Sequence, residues 1–193
     1  MTDSETRSAG KRERLVASAT ALFHEQGVHR TTIAEVAEHA DVPVGNVYYY
    51  FKTKDEIVAA VIDAHAAEIR ERLAGLERHR TPKARLRAFV RMLGEQSETA
   101  AHGGCPHGSL CSELCRRDGS LADLGADLIR IPIAWTEAQF HALGRRDARE
   151  LAVALIASYQ GISLLANTLD DPDLMAREVK RLGRWVDELA AVR

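Results

Sequence analysis

The sequence predicts an all-α fold, and three observations lead to that prediction. Apolar residues recur at helical spacing through most of the chain, no long stretch alternates at period two, and only 5 of the 193 residues are proline. Hydrophobic residues make up 46% and charged residues 28%, which is ordinary for a globular protein with a substantial core. No apolar run approaches the ~20 residues that span a bilayer, and residues 1–10 lack the hydrophobic segment of a secretory signal. We therefore expect a cytoplasmic protein without a membrane partner.

The first helix is predicted at 11–26, after a polar tail over 1–10 that we expect to be mobile. Gly27 follows at the position where a glycine commonly ends a helix. One face of this helix is apolar, and its start is basic. The basic residues are either a solvated helix end or a contact to a nucleic-acid backbone. The apolar residues are Leu15, Ala19, Leu22 and Phe23, and the basic ones are Lys11, Arg12 and Arg14.

Two short helices with a tight turn between them are predicted next. Thr32 and Glu35 have the spacing of a capping box, in which each side chain binds a free backbone N–H at the helix start. The turn comes at 41–42, and Pro43 suits the first helical position of the next segment, 43–51. Two short helices joined in this way are typical of a helix-turn-helix, whose second helix enters the major groove of DNA.

The helix over 43–51 carries residue types that suit DNA recognition. Val47 and Phe51 lie four residues apart, so both can face inward. On the other side, Asn46 can bind base edges, and the hydroxyls of Tyr48 and Tyr49 can reach phosphates. Gly45 allows the backbone to approach closely. The net charge of −2 argues against non-specific coating of DNA, but cations cluster at the first helix and around this one. We therefore expect double-stranded DNA as a partner.

The ordered motif from Gly27 to residue 57 resembles the TetR family of one-component bacterial transcriptional regulators. It comprises Gly27, Thr31-Thr32, Val36-Ala37 and the continuous run ADVPVGNVYYYFKTKDEI over 40–57. The resemblance implies a dimeric regulator, most often a repressor, that a small-molecule effector releases from a palindromic operator. It also implies that Thr31, Thr32 and the recognition helix contact the operator. Val44 departs from the pattern, since many members carry a polar or basic residue there. Here the contact is either an apolar one, as to a thymine methyl, or absent.

A long fourth helix is predicted from Lys54 to about residue 76. Thr53 and Glu56 again have capping-box spacing, and Lys54 with the first helical amides would form a phosphate site. The alternative is that Lys54 is merely exposed. A helix of this length would join a DNA-binding domain over 11–56 to an effector-binding and dimerisation domain over 57–193.

The second domain is predicted to contain five more helices. One starts at Pro82 and ends before Gly103, a short one covers 109–117, and one starts at Ser120 with Pro132 expected to kink it. The last two cover 147–169 and the segment from 172 onward. Their surplus apolar surface predicts a homodimer that joins these two helices of each copy in a four-helix interface. The alternative is that this surface covers the protein's own core.

No catalytic motif is visible, so we predict a protein that is not an enzyme, with no catalytic residue and no cofactor. The rival class is an all-helical enzyme or ligand carrier whose helix-turn-helix is incidental. A small apolar cavity with a few polar groups would suit an effector. Residues of these types belong more often to a plain core than to a pocket. The candidates are Met92, Gln96, His102, Cys105, Leu110, Trp135, Phe140, Tyr159 and Ser163.

Three interpretations remain open for the cysteines and their neighbouring histidines. The first is packing, because a free thiol behaves as a small hydrophobe. The second is redox or electrophile sensing through Cys105, Cys111 and Cys115, with Cys105 as the attacking thiol and Cys111 as its resolving partner. The third is metal binding, but the spacing matches no standard zinc site, so we predict no metal.

Overall fold

The computed structural model of the chain describes residues 3–95, 104–116 and 119–189. Within these ranges the secondary structure is helical, without strands, and the predicted all-α fold is confirmed. The helices are α1 (Asp3–Gln26), α2 (Ile33–His39), α3 (Val44–Tyr50), α4 (Lys54–Leu76), α5 (Pro82–Gly94), α6 (Pro106–Leu114), α7 (Ser120–Ala142), α8 (Ala148–Leu169) and α9 (Pro172–Leu189).

The chain divides into two compact units. Unit 1 comprises Met1–Ala66 and Ser109–Ala126, and unit 2 comprises Ala67–Gly108 and Asp127–Arg193. Helices α4, α6 and α7 therefore each contribute residues to both units. The predicted functional boundary between residues 56 and 57 stays a prediction.

Helix α1 begins at Asp3, eight residues before the predicted start. The predicted mobility of the first ten residues stays a prediction. Gly27 ends the helix with a left-handed backbone, φ +84°, as its position predicted.

The predicted capping box at the start of α2 is confirmed. The Thr32 N–H and hydroxyl donate to Glu35 Oε2 at 2.7 and 2.8 Å, and the Glu35 N–H donates to the Thr32 hydroxyl at 3.2 Å. The prediction that Pro43 is the first residue of this helix is wrong. Its ψ of 133° is extended, and it precedes α3 as the N-cap while its carbonyl accepts the Asn46 N–H at 2.8 Å.

The core of unit 1 is built where helical spacing placed it. Val47 has no exposed surface and Phe51 almost none, so the inward face of α3 is confirmed. Arg12 lies over the Phe51 ring, 5.3 Å from its centroid, and Arg14 donates to the Asp41 carbonyl at 3.3 Å. Other buried residues of this unit are Leu15, Ala19, Phe23, Val36, Ala37, Ile57, Val58, Val61 and Ile62.

In unit 2, α9 packs against α5 and α8. Thr81 caps α5 through its hydroxyl, and Pro82 opens the helix as predicted. Among the described residues, α8 is long and apolar enough to cross a membrane by length and composition alone, with a mean hydropathy of 1.4. The sequence analysis missed this stretch because Ser, Gln and Gly residues interrupt its apolar run. The core helix of a soluble protein passes the same test, and one face of α8 is core: Ala152, Leu155, Ile156, Tyr159, Ile162 and Ala166 are buried.

Two further helix boundaries differ from the sequence prediction. Helix α6 begins at Pro106 rather than at 109, since Pro106 suits a first helical turn and the Cys105 sulfur accepts the Gly108 N–H at 3.4 Å, in the manner of a cap. Helix α7 continues through Pro132 to Ala142. A kink at Pro132 stays a prediction.

Candidate functional site

The outer side of α3 presents a row of accessible side chains. Val44 is 43%, Tyr48 47% and Tyr49 76% exposed, and Gly45 and Asn46 are exposed beside them. The Tyr49 ring meets the Tyr50 ring edge-on, with centroids 5.1 Å apart. Because Val47 on the opposite side is fully buried, the helix cannot rotate without losing core contacts. The surface that α3 offers to a partner is therefore fixed by its buried face.

The three predicted DNA-contact residues outside α3 are placed differently from one another. Thr31 is 1% exposed, and its hydroxyl donates to the Gly27 carbonyl at 2.8 Å while accepting from Gln26 Nε2 at 3.2 Å. Its hydroxyl therefore holds the turn after α1, and a contact between Thr31 and DNA stays a prediction. Thr32 is exposed as the cap of α2. Lys54 Nζ donates to the His29 carbonyl at 3.2 Å.

The capping box also changes the acidity of its carboxyl group. Hydrogen bonds from the Thr32 backbone and then from its hydroxyl lower the pKa of Glu35, because they stabilise the ionised form. At neutral pH the carboxylate therefore holds the first turn of α2, which immediately precedes the turn into α3.

Comparison with known proteins identifies this arrangement. Residues 15–61, from α1 into α4, match the model of "Bacterial regulatory proteins, tetR family". The HTH-type transcriptional regulator MT0206 of Mycobacterium tuberculosis is 30% identical over 196 aligned positions, covering 90% of this chain and 94% of the relative. The chain belongs to the TetR family.

Two other comparisons extend along most of the chain. Transcriptional regulator AcuR of Cereibacter sphaeroides is 32% identical over 178 positions, covering 83% of this chain and 78% of the relative. The crystal structure of a TetR transcriptional regulator from Chloroflexus aurantiacus superimposes with a TM-score of 0.84 at 25% identity, covering 94% of this chain and 96% of that one. This TetR-family member is thus a helix-turn-helix, DNA-binding transcriptional regulator.

Unit 2 contains a cavity of about 60 Å³. Most of its wall is apolar. The apolar lining residues are Ile69, Leu73, Phe89, Met92, Leu93, Leu128, Ile129, Pro132 and Ile156.

The polar groups of the cavity wall gather around one sulfur atom. Cys105 Sγ accepts from the Gly108 N–H at 3.4 Å and from Gln160 Nε2 at 3.6 Å. Burial, followed by the neighbouring Cys105, raises the pKa of Tyr159 well above its usual value, so the phenol stays protonated. Arg72 and His107 also reach the wall. This cluster can hydrogen-bond the polar end of a mainly apolar ligand.

The cavity contains only part of the predicted ligand set. Met92, Cys105 and Tyr159 line it, whereas Gln96 and His102 lie outside the described residues. The other four lie elsewhere because their helix faces turn toward different neighbours. Leu110 is buried within unit 1, Trp135 packs on Phe89 and donates to Glu77, Phe140 meets Trp185, and Ser163 is buried with its hydroxyl unpaired among the described residues.

Sequence reasoning missed several lining residues. Ile69 and Leu73 belong to the apolar stripe of α4, and Gln160 directly follows a residue that was predicted. A helical stripe indicates a buried face but does not say which part of the face borders empty space.

The cysteines occupy three different environments. Cys105 is buried in the cavity wall, Cys111 donates to the Gly125 carbonyl at 2.9 Å, and the exposed Cys115 donates to the Ser112 carbonyl at 3.3 Å. Within the described part of the chain, no group of three His, Cys, Asp or Glu residues could hold a metal ion.

Proposed function

We propose that this TetR-family regulator is a repressor whose affinity for a palindromic operator is lowered by a small molecule bound in the cavity of unit 2. The observation that carries the proposal is the cavity itself, an apolar space with a hydrogen-bonding cluster at Cys105, Tyr159 and Gln160. Effector sites typically combine such apolar walls with a few polar groups. The relatives are named as transcriptional regulators, and we propose regulation rather than catalysis for this chain as well.

The mechanism follows from linkage between the two binding events. A ligand lowers operator affinity only by the factor by which it prefers the conformation that fits DNA poorly. Helix α4 contributes residues to both units: Ile69, Arg72 and Leu73 line the cavity, and Lys54 lies at its first turn. We propose that α4 carries the change from the cavity to the DNA-binding helices.

We also propose that the protein acts as a homodimer through α8 and α9. Leu164, Leu165 and Leu169 on α8 are between 52% and 65% exposed, which is unfavourable for large apolar side chains unless a partner covers them. A two-fold dimer would place two α3 helices in successive major grooves, roughly 34–36 Å apart on DNA.

Operator binding is tested first, by fluorescence anisotropy with the DNA upstream of the gene, and the dimer by light scattering. Leu165→Glu should give monomers and lose specific DNA binding, whereas Leu124→Glu, on an exposed leucine of unit 1, should do neither.

A thermal-shift screen then finds ligands of the cavity. Gln160→Leu should weaken the binding of those ligands that carry a polar group. Specific operator binding by the wild type that no ligand of the cavity weakens would contradict the effector part alone.

Cys105 supports a second candidate, in which its thiol senses an electrophile or oxidant. Two N–H groups, of Gly108 and of the Gln160 side chain, donate to its sulfur. Cys105 also borders the cavity, so a small reagent that enters the cavity would meet it. Substitution of each cysteine separates this candidate from simple packing.

A further inference from the structure

Glu113, in the last two turns of α6, makes an unusual contact with the turn after α1. Its Oε2 accepts the Val28 N–H at 2.8 Å, and its Oε1 accepts the His29 N–H at 2.5 Å. All three residues belong to unit 1, although 84 and 85 positions separate the partners in the sequence. One carboxylate thus binds two successive backbone amides of the DNA-binding segment.

The turn has the backbone form of an anion site. Successive N–H groups beside a left-handed residue form a concavity that binds anions, and Gly27 supplies that residue with φ +84°. A Cβ at position 27 would lie 3.0 Å from Glu113 Oε2. Glycine is therefore favoured here both by the backbone angle and by the close approach of the carboxylate.

The same turn is tied to the recognition elements on its other side. The His29 carbonyl accepts from Lys54 Nζ at 3.2 Å, and the Gly27 carbonyl accepts from the Thr31 hydroxyl at 2.8 Å. Thr32 then caps α2, whose C-terminal turn leads into α3. Glu113 thus accepts hydrogen bonds from two backbone N–H groups of this turn, and Lys54 donates one to a backbone carbonyl of the same turn.

We infer that Glu113 is a positioning residue for operator binding. Its carboxylate fixes the turn between α1 and α2, and through that turn it fixes the orientation of the α2–α3 pair. This role depends on the DNA-binding activity of the family and on contacts within unit 1, and it does not depend on the proposed effector.

Chemical rescue tests the inference. Glu113→Ala removes the side chain beyond Cβ, and acetate has the size and charge of the missing fragment. We expect specific operator affinity to fall about tenfold by anisotropy, and acetate to restore part of it relative to chloride at matched ionic strength. Ser112→Ala, on the exposed neighbour, should retain wild-type affinity in both salts. A residue that only stabilises the fold would show a lower melting temperature without rescue that depends on the anion.

Gly27→Ala approaches the same site from the backbone side. It should weaken operator binding without being rescued by acetate, and its effect should not add to that of Glu113→Ala because both break one contact. If Glu113→Ala does not fold, Glu113→Gln answers the question, since the amide keeps one acceptor but turns an NH₂ toward a second donor. Wild-type operator affinity in a folded Glu113→Gln or Glu113→Ala, or equal effects of acetate and chloride, would overturn the inference.

Discussion

Two valines in one turn of the recognition helix provide a direct test of how the core orients the DNA-binding surface. Val47 has no exposed surface, whereas Val44 is 43% exposed. Changing each to alanine removes the same two methyl groups from the same seven-residue helix. Any difference between Val47→Ala and Val44→Ala therefore reports burial rather than chemistry.

The expected difference can be worked out from burial. Two buried methyl groups contribute ~1.6 kcal/mol of transfer free energy, and an incompletely collapsed space adds ~1 kcal/mol. Alanine returns ~0.5 kcal/mol because it is the better helix former. We expect Val47→Ala to destabilise the protein by about 2 kcal/mol. For Val44→Ala the transfer loss scales to ~0.9 kcal/mol with little cavity, so the net change is within about 0.5 kcal/mol.

Urea denaturation followed by circular dichroism measures both variants, with operator affinity measured on the folded proteins. Val47→Ala should also weaken operator binding because a loosened α3 no longer fixes Tyr48 and Tyr49 on its surface. Val44→Ala should change binding only if Val44 meets a thymine methyl, and then only at one base pair. Equal destabilisation by the two changes would refute the assignment of the inward face of α3.

Four further predictions concern the DNA contacts, the thiols and the capping carboxylate. Lys54→Ala should lower the slope of log affinity against log salt concentration by about one unit if the ammonium contacts a phosphate. An unchanged slope would leave the hydrogen bond to the His29 carbonyl as the role of Lys54. Tyr49→Phe should weaken operator binding similarly across DNA sequences, with little change in slope. If the Cys105 thiol senses electrophiles, Cys105→Ser should abolish the release of the protein from DNA by a small electrophile. Cys115→Ser, on the exposed cysteine, should retain that release. Identical responses of both variants and the wild type would favour a packing role alone. The folded-state pKa of Glu35 is lowered, so the ionised carboxylate stabilises the folded protein above the ordinary glutamate pKa. This stabilisation is lost as the pH falls through the lowered pKa. The difference in free energy of unfolding between wild type and Glu35→Gln should therefore shrink below about pH 4.

The sequence predicted the DNA-binding domain in detail because its signals are local. The capping box at Thr32 and Glu35, the inward pair Val47 and Phe51, and the glycine at the end of α1 each depend on residues a few positions apart. Helical periodicity and cap chemistry act over that same range. Such features can be predicted without knowing what packs against them.

The cavity of unit 2 was predicted only in part because it depends on packing between helices distant in the sequence. Met92, Cys105 and Tyr159 were anticipated, but Phe140 and Trp135 proved to be core residues and Gln160 was missed. Apolar residues at helical spacing define the buried face of one helix. The position of a cavity depends on where the buried faces of several helices do not pack closely together.

The sequence by itself determined the all-α fold, the helix-turn-helix, the family and the exposed row of α3. The tertiary structure alone decided that the Thr31 hydroxyl is enclosed, that Cys105 borders a cavity, and that Glu113 binds the turn after α1. The physical reason is the range of the interactions. Periodicity and capping are fixed by neighbours along the chain, whereas a carboxylate that meets two amides more than eighty residues away is fixed only when the whole unit has folded.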